Sequence, residues 1–186
     1  MKRAFDLFFC LVSMILLLVP FVLIFIAIKV TSHGPTFYWS DRVGRGNNIF
    51  RMPKFRTMQI NTPEVPTHLF DNPNDYLTPI GSFLRKSSLD ELPQLWSILK
   101  GDMSLVGPRP ALFNQDDLVK LRTLKGVDQL TPGLTGWAQI NGRDELPILI
   151  KVKFDEEYLR KKSFLFDLKI LWLTVIKIIM RESISH

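Results

Sequence analysis

Asp90 and Glu91 are neighbouring carboxylates set before Leu92-Pro93-Gln94-Leu95-Trp96. Adjacent acids can divide labour at phosphorus: one attacks as a nucleophile while the other holds a divalent cation. The attack must overcome repulsion from an anionic phosphate, so it calls for Mg²⁺ and a cationic clamp. Mg²⁺ takes few protein ligands and keeps several waters, so a sparse acidic site suffices. Arg109, between Pro108 and Pro110, is the best clamp candidate, because a stiff backbone can present its guanidinium bidentately to phosphate. Lys54, Arg56, Arg85 and Arg143 are weaker candidates for the same task. A plainer reading stands beside this one. Ser88 followed by Glu91 before an apolar run is a capping box, and Asp90 suits a helical first turn. Arg109 as a surface arginine braced by its loop is the matching alternative. Asp155-Glu156-Glu157 fit a solvated acidic helix face as well as they fit metal assistance. His33, His68 and His186 show no metal-ligand spacing.

The elements that must position these groups begin with a membrane segment. Leu7 to Ile28 is a run of 22 residues without a charge, with Pro20 inside it. As continuous helix it would reach about 33 Å, the thickness of a bilayer core. Lys2 and Arg3 precede it, and Lys29, Arg42, Arg45, Arg51, Lys54 and Arg56 follow. Positive charge marks the cytoplasmic side, and a single pass would put one cluster on the wrong face. A helix that turns near Pro20 and leaves on the side it entered satisfies both clusters. A kinked transmembrane anchor and a signal peptide are the alternatives, and no small-residue cleavage site follows the run.

The chain of 186 residues allows one modest domain beyond that segment. Its net charge of +6 suits anionic head groups or a phosphorylated ligand. The cations lie beside apolar segments and form no polar stripe, which argues against nucleic acid. The single cysteine, Cys10, lies in the apolar run and has a packing or lipid-contact role. Phe37–Trp39 and Asn48–Arg51 flank a glycine-bearing turn and predict a short β-hairpin, with residues 54–58 extending its second strand. Residues 59–79, with four prolines, predict a long surface loop. Helices are expected within 82–100, ended by Gly101, and over 113–125 and 146–162. Residues 106–110 should be stiff and extended. Phe164 to Met180 carries Leu165, Leu168, Trp172, Val175 and Ile179 at helical spacing, which predicts an amphipathic helix lying in the membrane interface. A core helix is the alternative there.

The chain resembles the bacterial monotopic phosphoglycosyl transferases, the bacterial sugar transferase family, over nearly its whole length. The resemblance is carried by Lys2-Arg3-Ala4-Phe5-Asp6, Gly34-Pro35, Arg42-Val43-Gly44 and Phe55-Arg56-Thr57-Met58. It continues through Ser88-Leu89-Asp90-Glu91-Leu92-Pro93-Gln94, Leu99-Lys100-Gly101-Asp102-Met103-Ser104 and Val106-Gly107-Pro108-Arg109-Pro110. Pro132-Gly133-Leu134-Thr135-Gly136-Trp137 through Gly142-Arg143, and Phe166-Asp167-Leu168-Lys169, complete the set.

The resemblance implies a mainly α fold with a short β-hairpin, monotopic in the membrane, with a re-entrant helix broken at Pro20. It implies a re-entrant segment over 1–30, a catalytic domain over 31–163 and an interfacial helix over 164–186, in the minimal single-domain form. The expected activity moves a phospho-sugar from a UDP-sugar to undecaprenyl phosphate on the cytoplasmic face of the bacterial inner membrane, initiating glycoconjugate assembly. Asp90 would be the nucleophile, Glu91 the Mg²⁺-associated partner, Arg109 a phosphate-binding residue and Asp155 a supporting acid. Membrane lipids and downstream membrane glycosyltransferases are the implied partners. Many relatives break the helix with Ser-Pro, whereas this chain has Val19-Pro20 and lacks that hydroxyl. A non-catalytic membrane-surface scaffold, with the acidic pair acting only as helix caps, is the competing reading.

Overall fold

The computed structural model describes residues 2–60, 62, 73–142 and 146–180. The uncharged run forms two helices, α1 (Lys2–Leu16) and α2 (Leu18–Thr31), bent by 61°. Among the described residues no single helix is long and apolar enough to cross a membrane, and this pair passes that test only together. The break lies at Leu17 (φ −95°, ψ 6°) and corrects the expected break at Pro20. A proline ring clashes with the carbonyl four residues back, which here is that of Leu16, so the chain turns before the proline is reached. Pro20 then falls in the first turn of α2, where its missing N–H has no intrahelical partner to lose. Leu17 closes one helix by donating to Ser13 O and opens the next by accepting from Phe21 N, both at 2.9 Å.

Phe8, Ile15, Leu16, Leu18, Val19, Leu23, Ile26 and Val30 are exposed on this pair, a contiguous apolar surface of the kind that contacts lipid or a partner. The opposite faces are docked on the domain. Cys10 joins a core with Leu95, Ile98, Met103, Val106, Val127, Tyr158 and Ile170. Ile24 and Ile28 join a second cluster with Phe55 and Leu84. Lys2 and Arg3, expected as membrane-flanking cations, have protein partners. Lys2 pairs with Asp167 at 2.5 Å, and Arg3 donates to Ile98 O and Leu99 O at 2.5 and 2.7 Å. Asp6 accepts from Ser104 Oγ at 2.8 Å.

The expected hairpin forms from β1 (Phe37–Val43) and β2 (Ile49–Phe55), antiparallel with Phe37 opposite Phe55 and Val43 opposite Ile49. Its turn uses Gly46 at φ 64°, a left-handed value that glycine adopts without penalty. Downstream come α3 (Gly81–Ser87), a 3-10 helix over Leu89–Gln94, and α4 (Leu95–Lys100), which Gly101 ends at φ 99°. Then follow β3 (Ser104–Val106), β4 (Ala111–Leu112) and α5 (Asp116–Leu124). The chain finishes with β5 (Gly133–Thr135), α6 (Trp137–Ile140), α7 (Ile148–Lys161) and α8 (Phe164–Met180).

Three short strands have no counterpart among the elements that the sequence predicts. β4 adds to the hairpin, with Val43 opposite Ala111, and β3 runs parallel to β5. Pro147 caps α7 one residue before its first turn. On α8, Leu165, Trp172 and Val175 are exposed as the amphipathic reading requires, while Ile170 faces the core.

Candidate active site

The acidic pair sits where α3 gives way to the 3-10 helix. Ser88 ends α3 in the left-handed region (φ 56°, ψ 17°), donating its N–H to Arg85 O at 3.1 Å. That conformation overturns the capping-box reading. An N-cap hydroxyl reaches the amide two or three residues on from extended backbone, and Ser88 makes no side-chain cap hydrogen bond to the helix it precedes. Leu89 and Leu92 pack on the cluster of Phe55 and Leu84. Within a 3-10 turn, three residues return the chain to the same face, so two leucines three apart fix which side is inward. Asp90 and Glu91 are carried with them against β2.

Lys54 of β2 meets both acids. Its Nζ lies 2.9 Å from Glu91 Oε1 and 3.6 Å from Asp90 Oδ2. Arg109 Nη2 donates to the same Glu91 oxygen at 3.1 Å. Arg85, on α3, faces Asp90 closely enough for each charge to act on the other. Three cations thus surround two carboxylates, as a site that must receive further negative charge requires. Asp90 is 8% exposed. Burial pushes its carboxyl above the usual range and Lys54 pulls it back; Glu91 adds to the rise, and Arg109 and Arg85 oppose it. Burial likewise lowers Arg85 from its ordinary value, against the pull of Asp90.

The structure therefore brings together Asp90, Glu91, Lys54, Arg85 and Arg109. It places two expected residues elsewhere. Arg56 is buried at the end of α2, donating to Ser32 Oγ at 2.8 Å and Ser32 O at 3.3 Å. Asp155 lies 1% exposed inside α7, where one oxygen takes Arg122 Nε at 2.9 Å and Nη2 at 2.7 Å. Burial raises its carboxyl and Arg122 lowers it. The Asp155-Glu156-Glu157 run is accordingly no common solvated face. Glu156 pairs with Arg160 and Lys125, and Glu157 accepts from Trp137 Nε1 at 2.9 Å. Arg143 lies outside the described residues.

Sequence reasoning missed Arg122, one of two cations in a polar helix, whose carboxylate partner is 33 residues away. It also missed Gln94, which is 2% exposed and keeps a buried Nε2 without a partner among the described residues.

No group of three or more metal-ligating side chains occurs among the described residues. The acidic pair still fits Mg²⁺, which binds through one or two carboxylates together with water and substrate phosphates.

Residues 1–181 match the sequence profile of a family described as bacterial sugar transferase. The UDP-glucose:undecaprenyl-phosphate glucose-1-phosphate transferase of Escherichia coli is 41% identical over 188 residues, covering 95% of this chain and 40% of that protein. The uncharacterized sugar transferase EpsL of Bacillus subtilis is 41% identical, covering 100% of this chain and 91% of its own length. The undecaprenyl-phosphate galactose phosphotransferase of Salmonella typhimurium is 39% identical over 98% of this chain and 41% of that protein. The chain thus spans less than half of two of these relatives and nearly all of the third. With a match across almost every residue, and with the acidic pair and its arginine gathered at one place, this chain belongs to the bacterial sugar transferase family.

Proposed function

We propose that the chain transfers a sugar phosphate from a UDP-sugar to undecaprenyl phosphate through a covalent intermediate on Asp90. The observation that carries this reading is the convergence of Lys54, Arg85 and Arg109 on two adjacent carboxylates, one buried and one half-buried. Asp90 Oδ attacks the β-phosphorus, the bond from that phosphorus to the bridging oxygen breaks, and UMP leaves with the electron pair. An oxygen of the lipid phosphate then attacks the acyl phosphate, releasing the Asp90 carboxylate and forming undecaprenyl-diphospho-sugar. One phosphoanhydride replaces another, so a single site serves both halves.

Arg109 grips the donor diphosphate while holding Glu91, and Lys54 and Arg85 keep Asp90 ionised as substrate excludes water. Glu91 would hold Mg²⁺, which when bound supplies neutralisation of the diphosphate charge. The apolar surface of α1 and α2, with exposed Phe83 on α3, Trp96 on α4 and Trp172 on α8, supports a monotopic protein in the bacterial inner membrane. Its site would face the cytoplasm. The product would pass to membrane glycosyltransferases.

Intact mass measurement after mixing the protein with a panel of UDP-sugars tests the reading. A phospho-sugar adduct, together with released UMP, is expected in the native protein and no adduct in Asp90→Asn. Absence of both from every donor, with undecaprenyl phosphate supplied, would overturn it. A scaffold protein would give that result.

A further inference from the structure

Three successive carbonyls in the Pro108-Arg109-Pro110 segment each accept a hydrogen bond from a different element. Gly133 N donates to Pro108 O at 2.9 Å, Arg122 Nη1 to Arg109 O at 2.8 Å, and Arg42 Nη1 to Pro110 O at 3.2 Å. The prolines have no N–H, so this backbone is held chiefly through its acceptors. Both arginines are themselves fixed. Arg122 is 8% exposed and gives two further N–H groups to Asp155, while Arg42 Nε donates to Ser40 Oγ at 3.0 Å within β1.

The glycines leave no slack on the remaining side. A Cβ at Gly107 would stand 2.3 Å from Thr131 O, and one at Gly133 would stand 2.0 Å from Gly107 N. The strand pair β3–β5 therefore presses directly on the start of the segment.

Resting on the assignment of Arg109 as the phosphate clamp, we infer that Arg122 and Arg42 are positioning residues for the transfer. They pin the carbonyls at and after Arg109 and so aim its guanidinium at Glu91 and at the donor diphosphate. Asp155 acts one step further back, by orienting Arg122. A long side chain amplifies backbone error. A rotation of about 10° at its root moves a guanidinium by ~1 Å, and a misplacement of that size costs about a hundredfold in rate.

The test is a set of double-mutant cycles on the full chain, read as UMP release from UDP-glucose or UDP-galactose, whichever turns over, and as Kd for UDP. Replacing the buried pair by R122M/D155L removes the donor to Arg109 O without leaving a lone buried charge. It should lower kcat/KM by about tenfold to a hundredfold, and Arg42→Met by about tenfold. In an Arg109→Ala background each should add less than about twofold, because the group they aim is gone. UDP affinity follows the same pattern, so an Arg109→Ala protein too slow to assay still reports through binding.

Equal losses in both backgrounds overturn the inference, since a purely structural pair would weaken the protein whether or not Arg109 is present. A loss under about twofold in the Arg109-containing protein also overturns it. If R122M/D155L fails to fold, Arg42→Met, at a half-buried position, runs the same cycle and is decided by the same two outcomes. Full activity in Arg109→Ala would remove the clamp itself. That outcome is distinct from one in which Arg109→Ala is crippled and the arginine variants are not.

Discussion

Buried acid–base clusters lie on either side of Arg109, and they are built to opposite rules. At Asp155 a single oxygen takes two N–H groups from Arg122 at 2.9 and 2.7 Å, with the charge of Lys151 adding a weaker pull. At Asp90 the approach of Lys54 is longer, 3.6 Å, and that lysine lies closer to Glu91. Two like charges stand side by side there, shared among three cations. A matched pair settles into one geometry and stabilises it. An unmatched cluster keeps interaction capacity for a charge that arrives later, and holds its nucleophile less firmly. Burial alone does not separate structure from chemistry in this protein, because both acids are buried; the closeness of the pairing does.

Asp90→Asn tests the contrast most severely. Loss of the attacking oxygen should cost at least ~10⁴-fold in UMP release, measured in initial rates. The fold should not suffer. The folded-state pKa of Asp90 is raised, so the native protein holds the proton more tightly than the unfolded chain. Stability from this group is complete below the unfolded pKa and declines as pH rises towards the folded one. At neutral pH the ionised form is therefore a burden on the native state, and the neutral amide should leave Tm unchanged or raise it. A fall in Tm of more than about 5 °C would give Asp90 the structural role of Asp155.

The mirror experiment is Asp155→Asn. It strands the Arg122 charge with 10% side-chain exposure and should cost about 3 kcal/mol of stability by denaturant unfolding. Any protein that folds should still form the covalent adduct, only more slowly. Loss of the adduct at native stability would instead give Asp155 a direct part in the chemistry.

The contrast also explains what the sequence disclosed. The hairpin was legible because Phe37-Tyr38-Trp39 and Ile49-Phe50-Arg51 carry strand-forming side chains about a glycine turn. β3, β4 and β5 are two or three residues long and owe their conformation to partners distant in the chain, so no local pattern announces them. Proline marked the helix break to within one turn, because its steric effect acts backwards on Leu16 and Leu17. Within the site, Asp90, Glu91 and Arg109 stood out through adjacency and flanking prolines. The Ser88–Glu91 spacing was misleading because a cap depends on φ and ψ, and the left-handed Ser88 cannot cap. Arg56 and Arg122 show the limit most clearly. Both are arginines in ordinary surroundings, and only tertiary contacts send one to Ser32 and the other to the backbone of Arg109.

Lys54 offers the finest adjustment of the comparison, because it is shared between the two acids and its removal changes their balance without deleting either. It is the largest of the influences that lower the Asp90 carboxyl against burial. In the native protein the acid limb of kcat/KM should lie above the usual carboxylate range, with activity rising with pH as Asp90 gives up its proton. Lys54→Met should carry that limb higher still, since desolvation and the Glu91 charge would then act with less opposition. At neutral pH the variant should lose about tenfold in rate, and part of the loss should return on raising the pH. If Lys54 served only to hold Glu91, the rate would fall equally at every pH and the limb would stay in place. A pH–rate profile of the two proteins, taken with the same donor and saturating lipid phosphate, separates these outcomes: a displaced limb assigns the lysine to the nucleophile, and a uniform drop assigns it to the neighbouring acid.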